Sequence, residues 1–199
     1  MKKVMSTLRR IVALALCLGF AFTAHAGEPL ELVKTTAERA IEIFKDPQFQ
    51  PQEKKKERIE RLKETVSPFF DYEEMARRAL GPHWRRRTPA EQQAFVKLFR
   101  GFMETIYSDK IDFYSGEKVL FGRESIDDGF AQVESSVVNG KGEEIHIVYK
   151  LRRSQGKWKV YDAVIENISI INNYRSQFDR VIGKSSYEEL VKVLQEKIN

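Results

Sequence analysis

Between residues 117 and 167 the apolar side chains alternate, whereas on both sides they recur at helical spacing, and this switch of period limits the chain to few architectures. Ile145, Ile147, Tyr149 and Leu151 alternate with His146, Val148 and Lys150, and Trp158, Val160, Asp162 and Val164 with Lys159, Tyr161, Ala163 and Ile165. Four strands are predicted, over 118–121, 129–138, 143–153 and 157–167, with Asn139-Gly140 and Gln155-Gly156 as turns. Successive strands joined by tight turns imply an antiparallel meander with helices packed on one face, an α+β fold.

The helices announce themselves by spacing and by caps. Leu32, Val33, Ala37, Ala40, Ile41 and Phe44 predict a helix over 29–44, broken at Asp46-Pro47. A second, very polar helix follows over 51–66; its EKKKER run is either a solvated face or a docking surface for an acidic partner. Asp71 with Glu74 three residues on reads as a helix start, and Gly81-Pro82 as its end. Thr88-Pro89-Ala90-Glu91 is a capping box with proline at the first helical position. The helix it opens is expected to reach about residue 112, with Phe95, Leu98, Phe99, Phe102, Ile106 and Tyr107 as one broad stripe. Beyond the sheet a helix is predicted over 172–182 and ended by Gly183, and Ser185 and Ser186 with Glu188 and Glu189 cap a last one.

Composition matters mainly at the N-terminus. Lys2, Lys3, Arg9 and Arg10, the apolar run 11–22 and Ala24-His25-Ala26 describe a secretory signal peptide over 1–26. The run is too short to span a bilayer comfortably, and no later segment comes close. The mature chain, 27–199, is then expected to be a soluble, exported single domain. Leu16 precedes the sole cysteine, Cys17, where a lipoprotein signal places a small residue, so cleavage would leave no thiol chemistry. Four of the 34 Lys and Arg residues, and none of the 29 Asp and Glu, lie in the signal. The remainder is close to neutral, which removes the compositional argument for nucleic-acid binding.

Chemistry-bearing motifs are sparse. His83 sits beside Trp84 and His146 lies on a strand; there is no HExxH, CxxC, GxSxG or glycine-rich phosphate loop. No metal or cofactor is expected. Asp162 and Glu166 share a strand face and could form an acid/base pair or an ordinary salt-bridged surface. Trp84 with Arg85, Arg86 and Arg87 either locks two helices at a turn or meets acidic partners or anionic head groups. Periodic apolar stripes usually mark an ordinary packed core, and composition does not separate a filled core from a cavity.

Two stretches are more specific. FFDYEEMARRALGPHWRRRTPAEQQAFVKLFRGFMETIYSDKI and GKWKVYDAVIENISIINNYRSQF stand in the order and spacing of the MlaC family, the toluene-tolerance auxiliary proteins, behind a signal peptide. The chain resembles that family over nearly its whole mature length. The resemblance implies a strongly curved four-stranded antiparallel sheet under helices, similar to an NTF2-like cone with a deep apolar pocket. It implies a periplasmic, non-enzymatic carrier of glycerophospholipid, with the acyl tails inside and the head group outside. The implied partners are an inner-membrane ABC transporter complex with an MCE-type subunit and an outer-membrane lipoprotein complex, serving outer-membrane lipid asymmetry, and the carrier is expected to be a monomer.

Within that implied pocket the lining candidates are Phe99, Phe102, Met103, Ile106 and Tyr107 from the helix stripe. Val133, Val137, Ile147, Tyr149, Val160 and Val164 are the expected inward positions of the sheet. Ile168, Tyr174 and Phe178 would close the mouth, and Arg175 would face a phosphate or a structural partner. A pocket near the upper end of the ~300–1,000 Å³ usual for ligand sites is expected. Two rivals stand beside the carrier: an NTF2-like enzyme with Asp162 as acid/base, and a structural adaptor with a solid core.

Overall fold

The computed structural model describes residues 27–108 and 116–198. The expected export signal over 1–26 and the expected end of the long helix near residue 112 lie outside the described residues. Four helices come first: α1 (Glu28–Lys45), α2 (Lys55–Val66), α3 (Tyr72–Leu80) and α4 (Pro89–Ser108). The sheet follows as β1 (Lys118–Asp127), β2 (Phe130–Val138), β3 (Glu144–Ser154), β4 (Lys157–Ile165) and β5 (Ile168–Ser169). Then come α5 (Ile170–Lys184) and α6 (Tyr187–Ile198).

Helix starts follow the side chains expected to cap them. Asp71 accepts from the Glu74 amide at 3.1 Å, and Thr88 and Glu91 exchange hydrogen bonds at 2.7 and 3.3 Å. Ser186 Oγ accepts from the Glu189 amide at 3.2 Å. Two expectations change. α5 begins at Ile170 because Ser169 caps it, and it runs through Gly183 to Lys184. One glycine without a left-handed turn only weakens a helix locally, by about 1 kcal/mol.

The sheet is an open antiparallel meander in the order β1-β2-β3-β4-β5. It has five strands, not four. The segment expected to prolong β4 to Asn167 turns back at Glu166-Asn167, both at positive φ, and Ile168 pairs with Ile165. β1 also runs six residues past Phe121, where a register shift between Phe121 and Glu124 interrupts the alternation that identifies a strand. That bulge carries Glu124 to the start of α1, where its two carboxylate oxygens accept from the Gly27 and Leu30 amides at 2.8 and 2.7 Å. A carboxylate at a helix N-terminus satisfies amides that lack an intrahelical partner and meets the positive end of the helix dipole.

Two apolar cores result. One is purely helical: Phe95, Phe99, Phe102 and Phe178 stack edge and face with Met75, Leu80, Leu190 and Leu194 around them. The other joins α1 to the sheet through Val33, Phe69, Val133, Leu151, Trp158 and Val160. Phe70 bridges Val160 in parallel and the Asp71 amide donates to the Val160 carbonyl at 2.8 Å, so the chain leaves the sheet edge directly into α3.

α3 ends at Gly81, which holds φ 55° and ψ −125°. A Cβ there would stand 2.7 Å from Arg175 Nε. Gly81→Ala is therefore expected to lower stability by about 1–3 kcal/mol, chiefly through the backbone since the arginine can swing aside. Chemical denaturation of the variant alone and with Arg175→Ala separates the two contributions.

Candidate functional site

α1, α2, the Ser67–Phe69 turn and the sheet line a half-open, largely apolar cavity of about 320 Å³. Ala40 and Phe44 of α1 face it, as do Leu62 and Val66 of α2. Phe70, Met75 and Met103 wall the side toward the helical core, and Ile170 and Ile171 come from the start of α5. The sheet contributes Ile147 and Tyr149 from β3 and Ala163 and Ile165 from β4. The void stands at the lower end of the usual ligand-site range, not near its upper end.

A bulge decides which β4 residues face this void. Leu151 pairs with Val160 and Lys150 with Asp162, so Tyr161 is an extra residue and the alternation reverses there. Before it, Trp158 and Val160 point inward; after it, Ala163 and Ile165 do, opposite Tyr149 and Ile147. Val164, expected inside, pairs with Val148 on the other face. Asp162 turns away as well. Its carboxylate accepts from Ser169 Oγ at 2.7 Å and from the Ile171 amide at 3.1 Å, with Lys150 Nζ 3.6 Å away.

Most of the cavity wall is apolar, with Lys63, Ser67, Tyr72 and Glu104 along one edge. Burial pushes the Tyr149 phenol above its ordinary value, and does the same to Tyr72, where a hydrogen bond to Ser67 acts the other way. Among the described residues there is no group of three or more His, Cys, Asp or Glu able to hold a metal ion. His83 pairs with Asp179 at 2.8 Å and His146 with Ser136 at 3.1 Å, neither of them on the cavity wall.

The model of the family described as MlaC protein matches residues 34–196. The chain belongs to the MlaC family. A curated relative, the intermembrane phospholipid transport system binding protein MlaC of Haemophilus influenzae, is 23% identical over 140 residues. That match takes in 68% of this chain and 65% of the relative, so just under two thirds of the Haemophilus protein is spanned. The toluene tolerance protein ttg2D of Pseudomonas putida is 23% identical over 175 residues, 87% of this chain and 81% of that one. Among solved structures, a phospholipid-binding protein from Ralstonia solanacearum in complex with a phospholipid superposes with a TM-score of 0.71 at 26% identity. The superposition covers 84% of this chain and 95% of that chain.

In this MlaC-family chain the cavity gathers three of the lining candidates, Met103, Ile147 and Tyr149. Phe99, Phe102, Tyr174 and Phe178 pack instead with one another in the helical core, and Ile106 packs against them. Val133 and Val160 are fully buried in the second core. Val137 is half-buried and pairs with Ile145 one step beyond the cavity, and Ile168 is exposed on β5. The side chain of Tyr107 lies outside the described residues. Arg175 lies against Gly81 and not on the cavity wall. Phe44 and Ala40, on the visible stripe of α1, were legible as an amphipathic face; Ala163 and Ile165 were hidden by the bulge.

Asp162→Ala is expected to lower stability by about 1–3 kcal/mol, because the Ser169 hydroxyl and the Ile171 amide lose a buried acceptor. Ligand occupancy of the cavity should survive, since the carboxylate points away from it. Denaturation and ligand content measured on one preparation check both halves.

Proposed function

We propose that this chain carries a glycerophospholipid through the periplasm, with the acyl chains in the cavity under α1 and α2. The observation that carries the reading is a nearly all-apolar void, walled by both helices and sheet, in a chain of the MlaC family. The Ralstonia structural neighbour, which holds a phospholipid, supports it.

The energetics make such a void useful. Each buried methylene contributes about 0.8 kcal/mol, so two chains with roughly 30 methylenes between them are held in a membrane by ~20 kcal/mol or more. A lipid cannot leave for water at a useful rate unless an equally dry site receives it. Two full chains ask for more room than the cavity offers as it stands. α2 buries only Leu62, which makes it the wall held most weakly and the one we expect to yield on loading.

The proposal extends to the setting. Residues 1–26 are a cleaved export signal and 27–199 one lipid-binding domain. Cargo passes between an outer-membrane lipoprotein complex and an inner-membrane ABC transporter with an MCE-type subunit, and the carrier itself performs no chemistry. Among the described residues no helix is long and apolar enough to cross a membrane, which suits a shuttle.

The test is transfer of a fluorescent diacyl phospholipid from donor to acceptor vesicles. Transfer should rise in proportion to added protein. Transfer at the protein-free rate would contradict the proposal.

A further inference from the structure

The cavity wall is apolar except along one edge. There the end of α2, the Ser67–Phe69 turn, the first turn of α3 and α4 converge, and Lys63, Ser67, Tyr72 and Glu104 face the void. Ser67 is the hub. Its hydroxyl donates to Glu104 Oε1 at 2.5 Å, lies 3.2 Å from the Tyr72 hydroxyl and accepts from Arg100 Nη2 at 3.3 Å. Arg100 also donates through Nε to Glu104 at 2.7 Å, and its guanidinium stands 5.5 Å from the Tyr72 ring centroid. Lys63 Nζ is held 3.0 Å from Glu60.

Packing alone does not call for this cluster. Ser67 is buried and Tyr72 half-buried, and their hydroxyls meet at the margin of a void that otherwise offers carbon. The two cations remain partly exposed, Arg100 at 54% and Lys63 at 28%; Lys63 stands on the cavity wall, and Arg100 is tied to that edge through Ser67 and Glu104. In a diacyl phospholipid the first charged group beyond the chains is the phosphodiester, which is what must lie at such a margin when the chains are inside. A guanidinium fork, an ammonium and two hydroxyls are the donors suited to phosphate oxygens.

We propose that this edge is the phosphate seat of the cargo: Arg100 and Lys63 face the phosphodiester, and the Ser67 and Tyr72 hydroxyls donate to it. In the unloaded chain Glu104 takes two of these donors, the Ser67 hydroxyl and the Arg100 guanidinium, and keeps them oriented. On loading, the phosphate replaces it, and the displaced carboxylate is left beside the ammonium of a zwitterionic head group. The seat rests on the carrier reading and adds that the head group is recognised through its phosphate and is not merely left in water.

Binding of three soluble probes to the protein purified from cells and freed of lipid tests the seat: dioctanoyl phosphatidylethanolamine, dioctanoylglycerol and chain-free glycerophosphoethanolamine. The phospholipid should bind about ten-fold more tightly than the diacylglycerol, and the chain-free phosphodiester should not compete at millimolar concentration. Lys63→Ala with Arg100→Ala should bring the two diacyl probes within about two-fold of each other, the diacylglycerol value serving as the control for an intact cavity. Tyr72→Phe, which removes one hydroxyl, should weaken the phospholipid alone. A preference that survives these changes, or none in the parent protein, overturns the seat while sparing the carrier reading. Competition by the chain-free compound would mark a free-phosphoester site and overturn it too. Failure of the parent protein to bind either diacyl probe would overturn the carrier reading itself.

Discussion

Ala163→Trp should reduce the phospholipid recovered with the protein by about ten-fold or more, while the chain stays folded. Ala163 faces the cavity from β4, directly across from Tyr149. An indole built there enters the void rather than a filled core. The usual overpacking cost of about 1–3 kcal/mol is accordingly an upper bound on the stability change. The adjacent position gives the contrast. Val164 pairs with Val148 on the opposite face, so Val164→Trp should leave lipid content unchanged. Organic extraction with phosphorus quantitation, alongside thermal unfolding, reads both variants. Equal losses would mean that the bulge at Tyr161 does not set the faces; loss in Val164→Trp alone would restore the simple alternation of the sequence.

The second large effect concerns Glu74, only 3% exposed although it carries a charge. It accepts from Arg77 at 2.8 and 2.6 Å and from Arg78 at 2.6 Å, and Arg152 of β3 reaches it at 3.4 Å. Arg152 also binds Asp71 at 2.7 Å, so this group ties α3 to the sheet beside the cavity. Glu74→Ala leaves three guanidinium groups facing one another around a missing anion. Breaking a buried pair costs about 3–5 kcal/mol, and the arginines are partly solvated, so about 2–4 kcal/mol is expected.

The same residue gives the chain a pH signature. Burial alone would raise the Glu74 carboxyl, but the hydrogen bonds from Arg77 and Arg78 and the charge of Arg152 hold it below its ordinary 4.5. A depressed folded value means that its contribution is complete above 4.5 and is lost as pH falls through the folded value. The stability gap between parent and Glu74→Gln should therefore be constant near neutrality and shrink below that point. A gap that widens in acid would contradict the assignment. Urea denaturation at a series of pH values supplies the curve.

Much of this architecture was legible where local chemistry is self-contained. Asp71, Thr88 with Glu91, and Ser186 cap helices by contacts within three residues, so the starts of α3, α4 and α6 could be read directly. The meander could be read because Asn139-Gly140 and Gln155-Gly156 allow only short connections. What escaped depends on partners far along the chain. Glu124 in the bulge of β1 makes sense only with the α1 amides 94 and 97 residues away. The extra residue at Tyr161 cannot be seen in a list of alternating positions, and it moved Asp162 and Val164 off the cavity face while admitting Ala163 and Ile165.

The aromatic stripe of α4 is ambiguous for a different reason. A helix stripe identifies an inward face but not the neighbour it meets. Phe99 and Phe102 meet Phe178 in a helical core, whereas the residues of α4 that touch the void are Met103 and Glu104, immediately after Phe102. The missed wall on α1 and α2 lay in plain view as Ala40, Phe44, Leu62 and Val66. The strongly charged surroundings of α2 drew the reading toward a solvated helix, which it also is on its other side.

Native mass spectrometry of the protein purified from cells without detergent tests lipid carriage most directly. The expected result is a mass excess near ~700 Da, roughly a head group and two acyl chains, that organic extraction releases as a diacyl phospholipid. A folded chain at its bare mass, with nothing extractable, would contradict it.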